Sequence, residues 1–199
     1  MLEDKWNKMY ADDEYVYGTE INAFIKNNEY RFNPPSKIAC LAEGEGRNAV
    51  HLASLGHNVT AYDVSSTGLK KATHLASENN VKIETKQINL ITEELPENVY
   101  DHAILVFGHV HKKHQATLIN NLIRTVKKDG LIMFEVYSDS QINFDSGGPG
   151  KLDYLYNPQS VLNLIEPYEC IHFYYGEAIR NEGLRHTGLG HVIQVIIKK

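Results

Sequence analysis

From residue 38 onward, apolar and polar positions fall into blocks that read as strand, helix, strand. Residues 38–42, IACLA, form an uninterrupted apolar run of the length of a buried parallel strand. After the turn Glu43-Gly44-Glu45-Gly46, the residues Ala49, Val50, Leu52, Ala53 and Leu55 recur at helical spacing, and Gly56 ends that helix. Residues 58–62 alternate as a second strand and deliver Asp63 to its carboxyl end. Leu69, Ala72, Leu75 and Ala76 predict a helix over 66–78, stopped by Asn79-Asn80. Residues 81–88 alternate as a third strand ending in Asn89-Leu90, and 99–107, VYDHAILVF, form a fourth ending at Gly108-His109. A stripe of Leu118, Ile119, Leu122, Ile123 and Val126 predicts a helix over 115–127, with Lys127 and Lys128 at its negative end. The turn Asp129-Gly130 leads into a fifth strand over 131–136.

Repeated strand–helix alternation requires a parallel sheet with right-handed crossovers. The pattern then changes. A mobile loop over 144–150 is followed by a helix from Asn157-Pro158 to 165, with Asn as cap and Pro in the first turn. Residues 168–176 and 191–198 are strands with no helix between them, joined by a polar linker over 177–190, so they pair antiparallel. The expected fold is α/β and Rossmann-like: a mainly parallel seven-stranded sheet, helices on both faces, and a C-terminal antiparallel hairpin. Residues 1–35 are rich in aromatics, with Trp6, Tyr10, Tyr15, Tyr17, Phe24, Tyr30 and Phe32. They hold a helical turn over 5–10, a helix over 20–28 with Ile21, Phe24 and Ile25 on one face, and a break at Pro34-Pro35. This lead either caps the edge of the sheet or forms a helical lid over a ligand.

Composition narrows the class. At 199 residues, 42% hydrophobic and 23% charged, one domain over 1–199 is expected, with 36–199 as its core. A net charge of −5 without a long basic run argues against a nucleic-acid partner. No apolar segment is long enough to span a bilayer, and the N-terminus lacks a signal-peptide core, so no membrane partner and a cytoplasmic location are expected. The two cysteines, Cys40 and Cys170, fall within expected strands and read as buried small hydrophobes.

The chemistry is concentrated in the unit over 38–65. Gly44 and Gly46 permit positive φ and let a ligand approach the backbone, and the helix beginning near Arg47 points free N–H groups at the same place. Asp63 stands where a carboxylate accepts hydrogen bonds from ribose hydroxyls, so a nucleoside-containing ligand is expected. Two cofactors compete. Gly44, Gly46 and Ala49 satisfy the dinucleotide spacing of NAD, whereas Glu43 before the first glycine suits the cationic end of S-adenosylmethionine (SAM) and opposes a pyrophosphate. The closing antiparallel hairpin favours SAM. Asn89 either pairs with an adenine edge or bonds its own turn. His109, His111 and His114 span a strand end and a helix start without a nearby cysteine or acid, so no metal is expected. The hydrolase elbow G-x-S-x-G is absent.

The chain resembles the class I SAM-dependent methyltransferases, specifically the small tellurite-resistance type that neighbours the thiopurine methyltransferases. The resemblance rests on Trp6-x-x-x-Tyr10, on 15–20 (YVYGTE), on 43–48 (EGEGRN), on the Asp63 strand end, on 127–130 (KKDG) and on 182–188 (EGLRHTG). It implies methyl transfer from SAM to a small-molecule acceptor such as a thiol or chalcogen oxyanion, by a monomer or homodimer. It implies that Glu43, Gly44 and Gly46 line the methionine end, that Arg47 and Asn48 also bind the cofactor, that Asp63 holds the ribose, and that Val64, Asn89 and Leu90 flank the adenine. Phe107, Gly108 and His109 would floor the pocket. Members commonly carry Asp at the position of Asn89. On the acceptor side stand Tyr17, Glu182 and Arg185, with His186 expected to orient an acceptor anion or take its proton. The alternatives are an NAD-dependent oxidoreductase or a non-catalytic nucleotide-binding module.

Overall fold

The computed structural model describes residues 2–199. At its centre lies β1 (Lys37–Leu41), whose last four residues are all buried. Such a strand is covered on both faces, as a parallel strand inside a doubly wound sheet must be. Ala39 and Leu41 point to one face and Ile38 and Cys40 to the other, following the two-residue period. Beside β1 run β2 (Asn58–Asp63), β3 (Glu84–Gln87), β4 (Tyr100–Val106) and β5 (Val126–Tyr137). The edge is completed by β6 (Glu169–Glu182) and β7 (His186–Lys198), giving seven strands in the order β3-β2-β1-β4-β5-β7-β6. The first five are parallel, and β7 runs antiparallel between β5 and β6.

Helices cover both faces. One face carries α2 (Ala23–Asn28), α3 (Arg47–Ser54) and α4 (Ser66–Glu78), with Phe24, Ile25, Leu52 and Leu69 against Ile38, Ile104 and Met133. The other carries α5 (Lys112–Thr125) and α6 (Pro158–Ile165), with Leu118, Leu122, Val161 and Ile165 packed over Leu105, Phe134 and Val195. The N-terminal α1 (Leu2–Met9) rests on α4. No helix among the described residues is long and apolar enough to cross a membrane.

Local chemistry sets the ends of these elements. Ser65 caps α4 by accepting from the Gly68 N–H at 3.0 Å, and Asn157 caps α6 at Ser160 N–H at 3.1 Å. The second helix starts at Ala23, later than its apolar stripe suggested, because Asn22 caps the Ile25 N–H at 3.1 Å. α5 is shifted toward the N-terminus: His111 caps it, and it stops at Thr125. Lys127 therefore sits in β5 and pairs with Asp101 at 2.7 Å, not at a helix end. β3 keeps only Glu84–Gln87, in the second half of its alternating segment.

Two expectations fail at the C-terminal edge. The polar stretch over 177–190 is not a linker: β6 and β7 continue through it in unbroken register from Glu177↔His191 to Glu182↔His186. Its alternation turns Arg180 and Glu182 inward, where ion pairs replace the apolar contacts that usually betray a strand. Cys170 is exposed, since β6 is the edge strand; only Cys40 is buried.

The two central strands end unusually. Ala42 after β1 and Phe107 after β4 both take left-handed backbone, with φ of 52° and 53°. Both line the crevice described next.

Candidate functional site

The carboxyl ends of β1, β2 and β4 open onto a cavity of about 560 Å³, roofed on one side by α1. In such sheets a ligand crevice lies where neighbouring strands send their connections in opposite directions, here between β1 and β4.

The glycine turn builds the first wall. Its leading acid, Glu43, folds back onto α3: one carboxylate oxygen accepts the N–H groups of Asn48 and Ala49, each at 2.8 Å. The other oxygen accepts from Asn48 Nδ2 at 3.4 Å. Burial raises the Glu43 carboxyl to about 7, only partly offset by those bonds and the Arg47 guanidinium. Opposite, Asp63 accepts the Gly44 N–H at 2.9 Å and the Ser65 N–H at 2.7 Å. Burial raises it as well, to about 6. Among the described residues neither carboxylate stands in an ion pair within 4.0 Å.

Several residues expected at the cofactor line this cavity: Arg47, Asn48, Val64, Asn89, Leu90, Phe107, Gly108 and His109, beside Glu43 and Asp63. Gly44 and Gly46 do not. Both have positive φ, but a Cβ at Gly44 would lie 2.7 Å from the Tyr10 hydroxyl, and one at Gly46 would lie 2.5 Å from Ala72 Cβ. The missing side chains leave room for Tyr10 and α4. The Asn89 side-chain oxygen is taken by its own turn, accepting the Ile91 N–H at 3.0 Å. His109 turns Nδ1 to the Tyr154 carbonyl at 3.0 Å, and burial lowers its pKa to about 4. His111 caps α5 through Nδ1 at the Lys113 N–H, so these two histidines point into different tasks. Among the described residues no three His, Cys, Asp or Glu converge as metal ligands would.

The acceptor side is aromatic. Tyr17, Arg185 and His186 line the cavity with Asp145, Gly147 and Tyr154. His186 is wedged between Tyr17 at 4.6 Å, Phe107 at 4.5 Å and Tyr137 at 5.3 Å between ring centres. Its buried Nδ1 has no hydrogen-bond partner. Burial, then the Arg47, His109 and Arg180 charges, lower its pKa to about 2. Burial and these charges favour the neutral imidazole, a hydrogen-bonding group.

Glu182 does not reach the cavity. It pairs with Arg47 at 2.5 Å and Arg180 at 3.5 Å, and accepts from Asn22 Nδ2 at 3.0 Å. Arg180 is bonded in turn to Glu135, which also accepts from Asn22 and Gln194, each at 2.6 Å. This buried lattice fixes Arg47 in the cavity wall and lays Arg180 over the Phe107 ring at 5.5 Å. Sequence reasoning passed over its members Glu135 and Asn22, and took Arg180 as one of the polar residues of a linker over 177–190. The available signal was an acid at 135 inside an otherwise apolar strand, since an isolated buried charge demands a partner. Trp6, Tyr10 and Glu45 in the cavity wall were likewise not singled out as site residues.

A family model described as a methyltransferase domain matches residues 38–130. The ubiquinone biosynthesis O-methyltransferase of Rickettsia canadensis is 36% identical over 134 residues, covering 63% of this chain and 55% of that protein. TehB of Haemophilus influenzae, named as an S-adenosyl-L-methionine-dependent methyltransferase, is 25% identical over 122 residues, covering 60% of this chain and 40% of the relative. The chain thus spans about half the length of the curated relatives it matches. Among solved structures, TehB from Haemophilus influenzae superimposes with a TM-score of 0.74 at 16% identity, over 99% of this chain and 66% of that one. A structure described as "Conversion of a Disulfide Bond into a Thioacetal Group during Echinomycin Biosynthesis" superimposes with a TM-score of 0.78 at 14% identity, over 100% and 92%. At these identities the likeness is one of fold.

Proposed function

We propose that this chain is a class I SAM-dependent methyltransferase and transfers the methyl group of SAM to a small-molecule acceptor, a reading supported by the methyltransferase-domain match over 38–130 and by the fold. One observation carries the choice of cofactor. The N–H groups at the start of α3, where a dinucleotide would set its pyrophosphate, already hold the Glu43 carboxylate. A phosphate pair would have to displace a buried acid or share its site with it. A ligand of net positive charge meets the opposite situation: Glu43 and Asp63 are buried carboxylates without a paired cation, and SAM supplies one.

In this reading Asp63 accepts the ribose hydroxyls, Val64 and Leu90 pack on the adenine, and Glu43 and Asn48 face the methionine end. SAM contributes an electrophilic methyl on a cationic sulfur. The chain contributes alignment: Phe107, Tyr17 and His186 form walls that exclude water and hold an acceptor in line with that methyl. Neutral His186, in the cavity wall, orients the acceptor through a hydrogen bond, and Arg185 at the rim draws in an electron-rich group. We place the reaction in the cytoplasm, on a thiol, chalcogen oxyanion or hydroxyl acceptor, by a monomer or homodimer without a nucleic-acid or membrane partner. The relatives named for ubiquinone biosynthesis motivate the hydroxyl. Calorimetry with SAM and with NAD tests the cofactor, and release of S-adenosylhomocysteine across thiols, selenium and tellurium oxyanions, hydroxyl compounds and amines tests the acceptor. Tight NAD binding without a SAM signal would overturn the reading in favour of an oxidoreductase. SAM binding without turnover on any acceptor would leave a nucleotide-binding module.

A further inference from the structure

Val16 lies in the irregular segment between α1 and α2, buried but with an unremarkable aliphatic side chain. Its peptide groups have a particular placement. The Val16 N–H donates to Glu45 Oε2 at 2.9 Å, and the Val16 carbonyl accepts the Leu184 N–H at 3.0 Å. Glu45 belongs to the glycine turn and lines the cofactor half of the cavity. Leu184 immediately precedes Arg185 and His186 in the β6–β7 turn. One residue therefore bonds both halves of the site.

The surroundings stiffen this bridge. Lys71 pairs with Glu45 at 2.6 Å and donates to the carbonyls of Asp12 at 2.8 Å and Glu14 at 2.7 Å. Next to Val16, the Tyr17 ring rests on His186. Gly18 and Gly183, with φ of 72° and 66°, touch backbone to backbone: a Cβ at Gly183 would lie 2.4 Å from both Gly18 N and the Tyr17 carbonyl carbon. Across the turn, a Cβ at Gly147 would lie 2.3 Å from the Arg185 carbonyl oxygen, and the Thr187 N–H donates to the Ser146 carbonyl at 3.1 Å. The turn is thus held from two sides; the Val16 side leads back to the glycine turn by direct backbone bonds, beside the Glu182–Arg47 pair at the end of β6.

We propose that Val16 is a positioning residue that couples the cofactor turn to the acceptor turn, so that filling the SAM half of the site orders Arg185 and His186 for the acceptor. The inference rests on the cofactor assigned above. A ligand shifts a distant segment only through contacts that differ between its states; here the contact is at the Glu45 turn, and two hydrogen bonds carry it. Among the consequences is an acceptor that enters after SAM.

Amide hydrogen exchange with and without S-adenosylhomocysteine tests this, because it reads each segment separately. In the unaltered chain, the ligand should slow exchange about tenfold both over 43–49 and over 183–187. Gly183→Ala wedges the two backbones apart, so the slowing over 43–49 should persist while that over 183–187 drops below about twofold. Gly18→Ala, where the added Cβ would lie 3.3 Å from Gly183 N, gives the same readout under milder strain should the first variant not fold. Slowing over 43–49 with an unaltered 183–187 segment in the parent chain would overturn the coupling, as would full coupling in both variants. No slowing at either segment and no calorimetric heat would instead overturn the SAM assignment, and the coupling with it.

Discussion

Asp63→Asn separates what the carboxylate does for the cofactor from what it does for the fold. Raising this carboxyl from 3.8 to about 6 corresponds to about 3 kcal/mol of unrelieved charge burial above that pH. The sign follows from proton binding. The folded state keeps its proton to higher pH than the unfolded chain, so stability falls as pH rises from about 4 through about 6. The amide removes that penalty. It also offers one acceptor where two N–H groups, of Gly44 and Ser65, need one each, and stranding one costs about 1–3 kcal/mol. The two effects nearly cancel, so urea denaturation at pH 8 should give a stability within about 1–2 kcal/mol of the parent. Binding has no such compensation. Losing charge-assisted bonds to the ribose should weaken SAM by about 2 kcal/mol, or roughly 30-fold, by calorimetry at pH 8. SAM favours the ionised carboxylate, so parent affinity should rise as pH climbs through about 6, and the variant should show a shallower rise, due to Glu43 alone. Equal affinity in a folded variant, or an identical pH slope, would refute the assignment of Asp63.

Glu43→Ala strands the Asn48 and Ala49 N–H groups, so urea denaturation at pH 5, where the folded chain keeps the Glu43 proton, should show a loss of about 2 kcal/mol that shrinks toward pH 8; an unchanged midpoint at pH 5 would mean that water replaces the carboxyl. Arg180→Leu leaves Glu135 buried without its cation and should cost about 3–5 kcal/mol, much of it recovered in the double variant with Glu135→Leu; additive losses would deny the pair. His186→Ala should keep SAM affinity within about twofold yet lower turnover roughly 10²-fold, the scale of a lost positioning group. Because burial holds His186 neutral, kcat at saturating SAM should show no imidazole limb between pH 5 and 8, and a limb abolished by His186→Ala would contradict that. Treatment with a chelator should leave turnover unchanged; loss restored by one divalent ion would reveal a metal requirement.

How far the chain could be read without coordinates differs between its halves. The unit from β1 through α4 was legible because every signal in it is local: an apolar run, a glycine turn, a helical period and a cap all lie within a few residues of what they control. α4 has the bounds its stripe implies. The inner half of β6 was not legible. Arg180 and Glu182 look like loop residues until Glu135, Arg47 and Asn22 arrive from distant parts of the chain, and only the folded sheet brings them together. The same reason explains Glu182, whose carboxylate was expected at the acceptor and is engaged by Arg47, Arg180 and Asn22. Asn89 was ambiguous because the turn and the ligand ask for the same side chain, and the nearer partner, the Ile91 N–H, has it here. At Gly44 and Gly46 the need for positive φ was visible, while the neighbours occupying the vacated space, Tyr10 and Ala72, were not.

The left-handed backbone at Ala42 and Phe107 bears on how this molecule responds to selection. A residue with a Cβ in that conformation costs about 1 kcal/mol or more, and here two such residues stand side by side in the wall of the site. Glycine at Ala42 would relax the chain and raise its resistance to heat, whereas at Phe107 the packing lost with the ring would outweigh the same relief. At Phe107 the exchange would also delete the ring that stacks on Tyr137 at 4.5 Å and meets His186. Variants chosen for thermal endurance alone would thus be drawn to the end of β1 and away from the end of β4, where the packing of the ring that shapes the cavity wall holds the strain in place.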